Sequence, residues 1–113
     1  MPSGTPPHSS DAEQAVLGSI LKDREAFLKI QGMLQPDDFY DPAHSIIFKC
    51  TLSLFSRNSP IDIVTLPEEL RALNLLEKVG GTEYILFLSE STTATVNIVY
   101  YSEIILDTCF VVH

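Results

Sequence analysis

The sequence predicts an all-α domain, a compact orthogonal bundle of about six short helices. Three observations predict it. Apolar residues recur at three- and four-residue steps, the signature of helices with one buried face. The segments between those stripes carry cap residues, proline and glycine. One stretch alone, 96–101, has strand propensity, and it has no second edge to pair with. At 113 residues the chain is one domain by length, large enough to bury roughly two thirds of its unfolded surface.

Residues 1–9, with three prolines, a glycine and no apolar periodicity, read as a flexible arm. A first helix follows over 10–21. Ser10 and Glu13 have the spacing of a capping box, and Ala12, Val16 and Ile20, flanked by Leu17 and Leu21, form its buried stripe. Gly18 marks a point where another backbone can come close. Asp23 caps a second helix over 24–34, with Phe27, Ile30 and Leu34 on one face, and Pro36 ends it. Asp41-Pro42 then pairs a cap acceptor with a residue suited to the first helical position, opening a long helix over 42–56. His44, Ile47, Phe48, Thr51, Leu54 and Phe55 share its apolar face, which suits it to be the central strut.

Two starts compete for the fourth helix, Asp62 and Thr65. Counted from Asp62, Pro67 would delete a backbone bond; counted from Thr65 it deletes none, so the reading is a Thr65 and Glu68 capping box and a helix over 66–73. Asn74 is suited to the left-handed position after it. Gly80-Gly81 is a hinge before a short helix over 82–89, with Tyr84, Ile85 and Leu88 inward. After a polar connector, Thr95 or Asn97 caps a last helix in which Ile98, Tyr101 and Ile105 share a face. The domain is thus expected over 10–107.

Fifteen Asp and Glu against seven Lys and Arg leave a net charge of −8. That field opposes contact with a phosphate backbone, so direct nucleic-acid binding is not expected and a protein partner is. No apolar run approaches the roughly 18 residues of a membrane span, and the N-terminus lacks a secretory layout, so the expected location is cytoplasmic. Cys50 and Cys109 read as packed thiols in a reducing compartment.

Chemistry, if any, centres on Asp37, Asp38, Asp41 and His44, where hard oxygens and an imidazole could serve a divalent cation or acid–base catalysis. The residues have simpler employment. Asp41 is wanted as a helix cap, Asp37 and Asp38 as caps of the preceding turn, and His44 as a neutral ring packed on Phe39 or Tyr40. The favoured reading of Asp38, Phe39, Tyr40, Asp41, Pro42 and His44 is therefore a structural junction, with no catalytic, cofactor or metal residue. Tyr100 and Tyr101 point to different faces, one inward and one outward, and Tyr100, Tyr101 and Ile104 form a candidate interface.

Five segments in order carry a resemblance: Ser-Ser-Asp-Ala-Glu-Gln-Ala-Val-Leu-Gly-Ser-Ile-Leu over 9–21, Asp-Phe-Tyr-Asp-Pro-Ala-His over 38–44, Pro-Ile-Asp-Ile-Val-Thr-Leu over 60–66, Val-Gly-Gly over 79–81 and Asn-Ile-Val-Tyr-Tyr over 97–101. Together they resemble the N-terminal domain of the bacterial replicative DNA helicase, the DnaB family, across nearly the whole chain. The resemblance implies a non-catalytic helical head whose copies pair into the collar of a hexamer. It also implies docking of the C-terminal domain of primase and of other replication proteins, a helicase loader among them. No cofactor is implied for this fragment, since ATP and magnesium belong to the family's motor domain. Residues 108–113, apolar where the family continues into a charged hairpin helix, are expected to be the start of a truncated hairpin helix or a disordered tail.

Overall fold

The computed structural model describes residues 10–92 and 97–112, the last five of these by their helical backbone alone. The expected arm and the alternative cap Thr95 lie outside the described residues. Within them the chain forms α1 (Ser10–Lys22), α2 (Arg24–Lys29), a 3-10 turn (Pro36–Asp38), α3 (Pro42–Ser56), α4 (Thr65–Ala72), a second 3-10 turn (Glu77–Val79), α5 (Gly81–Ser91) and α6 (Ile98–Val112). No strand occurs among the described residues, and the bundle is all-α as expected.

The central strut is α1 and not α3. Every residue from 16 to 21 is buried, on all sides of the helix, because α5, α6, α2 and α3 surround it. Small side chains make that possible. At Gly18 an added Cβ would overlap both Thr92 Oγ1 and the Leu88 carbonyl oxygen of α5. Gly18→Ala would gain up to about 1 kcal/mol of helix propensity, but it must push two backbones apart. Overpacking of this kind costs about 1–3 kcal/mol or more. We expect net destabilisation in urea unfolding, and a variant as stable as the parent would contradict this packing.

Phenylalanines join the α2–α3 side of the core. The Phe27 ring lies 4.7 Å from that of Phe55 and 6.3 Å from that of Phe48, and Phe39 lies 4.9 Å from Phe48. Arg24 covers the edge of this cluster. Its guanidinium sits 4.8 Å over the Phe55 ring while Nη1 donates to the Ser59 carbonyl at 3.0 Å, so one side chain supplies a cation–π contact and a cap to the turn after α3. Cys50 is a buried free thiol of α3, and burial pushes its pKa up, which keeps it protonated and inert.

Two helix ends differ from expectation. The second helix stops at Lys29 rather than near residue 34, since Gly32 takes φ +86° and the Met33 N–H closes a turn onto the Ile30 carbonyl. Phe27, Ile30 and Leu34 nevertheless all reach the core, so the apolar spacing reflects burial without a continuous helix. At α4 the capping residue is Asp62. Its Oδ1 accepts from the N–H groups of Val64 and Thr65, both at 2.8 Å, while the Asp62 N–H donates back to Thr65 Oγ1 at 2.9 Å. The Thr65 N–H bond holds the Asp62 carboxyl below its ordinary pKa. Glu68, expected to complete a box with Thr65, pairs with Arg71 instead. α4 itself begins at Thr65, so Pro67 falls at its third position, where an N–H has no intrahelical partner and none is lost.

The remaining boundaries follow local chemistry. Asn74 adopts φ +61°, Gly80 and Gly81 have positive φ, and Asn97 Oδ1 caps α6 by accepting from the Tyr100 N–H. α5 runs over Gly81–Ser91, slightly longer than its stripe suggests, and α6 continues helically to Val112. Among the described residues no helix is long and apolar enough to cross a membrane.

Candidate functional site

Glu13 is the residue from which the polar interior is built. It lies three, four and seven positions before Val16, Leu17 and Ile20, on the stripe that α1 turns into the core, and it is only 2% exposed. A carboxylate there requires donors. The expected capping box with Ser10 is therefore not what Glu13 makes. Its Oε2 accepts from the Tyr40 N–H at 2.7 Å, and its Oε1 faces His44 Nδ1 at 2.7 Å and the Asp41 N–H at 3.4 Å.

α3 delivers the histidine. The Ala43 N–H donates to Asp41 Oδ1 at 2.9 Å, a cap worth about 1 kcal/mol, and Pro42 occupies the first helical position. This start turns His44 fully inward, with no exposed surface. Its Nε2 lies 2.6 Å from the Tyr84 hydroxyl of α5, and the two rings stack 5.8 Å apart at 11°. Gly80 sets that approach: its φ is +109°, and a Cβ would come within 2.9 Å of Tyr84 Cβ. The imidazole thus packs on Tyr84 and not on Phe39 or Tyr40.

The proton positions follow from valence. A carboxylate only accepts, so Nδ1 carries the hydrogen toward Glu13, while Nε2 and the Tyr84 hydroxyl share the second hydrogen bond. Burial pushes the Tyr84 pKa up, with the Asp41 and Glu13 carboxylates adding to it and a hydrogen bond with Gln14 opposing. Since the folded pKa exceeds the unfolded one, its stabilising contribution is complete below the unfolded value of 10.0 and is lost as pH rises through the folded value. Tyr84→Phe should remove that part of the alkaline stability loss. Urea titrations at about pH 9 and above check this, and identical slopes in parent and variant would contradict it.

The alternative centre of Asp37, Asp38, Asp41 and His44 does not assemble. Asp38 Oδ2 accepts from the Gln35 N–H at 2.8 Å, Asp37 is exposed, and Asp41 Oδ2 stays 4.0 Å from His44 Nε2. Among the described residues no three His, Cys, Asp or Glu side chains are grouped to hold a metal ion. Phe39 lies in the core and Tyr40 outside it. The carboxylate–imidazole–phenol chain has the order of a proton relay, yet its carboxylate and imidazole present no surface to a substrate. Its work is to tie α1, α3 and α5 together.

Tyr100 is 56% exposed, Tyr101 and Ile104 pack partly against the core, and the Tyr100 and Tyr101 rings meet edge-on at 5.4 Å. Reading by sequence missed Glu13 and Tyr84 as partners of His44. The signal was a charged residue inside an apolar stripe, which implies buried donors on another element. It also passed over Phe87, which is 48% exposed on α5.

Comparison with known proteins places this arrangement. The model of the DnaB-like helicase N terminal domain matches residues 5–107. The replicative DNA helicase DnaB of Pasteurella multocida (strain Pm70) is 46% identical over 102 residues, which is 90% of this chain and 22% of that protein. The protein of the same name from Geobacillus stearothermophilus is 40% identical over 100 residues, 88% of this chain and 22% of its own length. The chain therefore spans about a fifth of the length of these curated relatives. The crystal structure of the N-terminal domain of DnaB helicase from Mycobacterium tuberculosis superposes with a TM-score of 0.91 at 34% identity, covering 96% of this chain and 77% of that one.

Proposed function

The chain belongs to the DnaB-like helicase N-terminal domain family, and on that premise we propose that it is a non-catalytic, protein-binding head in DNA replication. Its copies pair and build the collar of a helicase hexamer, and its surface receives the C-terminal domain of primase and a helicase loader. The observation that carries this reading is the division between inside and outside. The inner polar chain of Glu13, His44 and Tyr84 is spent on holding helices together, while Tyr40, Leu73, Phe87 and Tyr100, each about half exposed, stand on the surface of a chain of net charge −8.

Self-pairing is assigned to α6 through Tyr100, with Tyr101 and Ile104 beneath it. A repulsive field towards phosphates favours protein over nucleic acid as the partner. ATP and magnesium are assigned to a motor domain outside these residues, no cofactor to this head, and the cytoplasm as its location. Sedimentation over a concentration series, with the parent and Tyr100→Ala, tests the pairing, and titration with purified primase C-terminal domain tests docking. Concentration-dependent mass that Tyr100→Ala weakens, together with primase binding, is the expected result. A chain that stays monomeric and ignores primase would overturn the proposal.

A further inference from the structure

We propose that the outer face of α5 is a preformed seat for an arginine-bearing basic segment of a partner protein; this rests on the protein-docking reading above. Glu83, Phe87 and Glu90 are all exposed and spaced by four and three residues, so they form one outward stripe. α5 carries no Lys or Arg, so no cation on that helix neutralises these carboxylates. The phenyl ring between them stands on Tyr84, 5.8 Å away at 21°. Tyr84 is in turn held by His44 at 2.6 Å, and Asp41 approaches the same imidazole nitrogen, which adds a carboxylate beside the phenol.

Each part of this surface fits a guanidinium. Its planar cation stacks on an aromatic face and its fork pairs with carboxylates, whereas a lysine offers a point charge and an acidic segment is repelled. The aromatic pair is anchored to the buried relay and needs little ordering on binding, which lowers the entropic cost of association. The match in charge is what selects a basic segment over an apolar one.

The test uses a synthetic amphipathic helical peptide with arginines spaced to meet Glu83, Phe87 and Glu90, and versions with lysine or glutamate in their place. NMR titration of the 113-residue chain should place the largest shifts at Glu83, Tyr84, Phe87 and Glu90 with the arginine peptide and none with the glutamate peptide. Affinity should fall about tenfold in Phe87→Ala and in the Glu83→Gln/Glu90→Gln pair, and fall with added salt. These side chains are exposed, so unchanged melting of the variants separates lost binding from lost folding. Shifts scattered elsewhere, or equal affinity in Phe87→Ala, would overturn the assignment. So would loss of self-association in Phe87→Ala without competition by the peptide, since the face would then be a contact between copies. Primase binding or pairing that survives Phe87→Ala while the peptide fails to bind sinks this inference alone and leaves the general docking role standing.

Discussion

Glu13→Ala is expected to destabilise the domain by about 3–5 kcal/mol, since it leaves three donors without their common acceptor. The loss has several parts. It strands the N–H groups of Tyr40 and Asp41 and the Nδ1–H of His44, all of which now end on this carboxylate, and each buried donor without an acceptor costs about 1–3 kcal/mol. Native domains have about 5–15 kcal/mol in all, so the variant should unfold at much lower urea or fail to fold at room temperature. Glu13→Gln keeps one carbonyl acceptor and should fall between parent and alanine. If Glu13→Ala lost less than about 1 kcal/mol, the carboxylate would not be what joins the three helices.

Phe39→Ala should cost a similar amount, about 3–5 kcal/mol, by the usual penalty for emptying an aromatic site. Phe39 is 5% exposed and its ring meets Phe48 at 4.9 Å, so little collapse is available to fill the space. It also anchors the connection between the first 3-10 turn and α3. Its loss should therefore loosen Tyr40 and Asp41, and amide exchange at those positions should rise. Tyr100→Ala serves as the contrast, since an exposed ring should change stability by no more than about 0.5 kcal/mol. Equal effects of the two substitutions would contradict the burial pattern.

Helix positions were legible because their causes are local. The Asp41 cap, proline in the first turn of α3, left-handed Asn74 and the Asn97 cap each act within a few residues of the chain. Where two local signals competed, as with Asp62 and Thr65, the helix begins at Thr65 as the proline requires, while Asp62 rather than Glu68 makes the reciprocal bond with Thr65. Gly32, with its left-handed φ, turns the chain where the apolar spacing alone implies more helix, so α2 is shorter than its stripe. The junction at residues 38–44 was recognisable as caps and wedges, but the partner of its histidine was not.

Composition and spacing thus determined by themselves an all-helical acidic domain with its core stripes, since a helix is decided by hydrogen bonds between residues four apart. Tertiary packing alone decided that α1 is central and that Glu13, His44 and Tyr84 meet. Those partners are 31 and 40 residues apart along the chain. A buried carboxylate has no local solution, and its donors here all come from around the start of α3, which packing brings against α1.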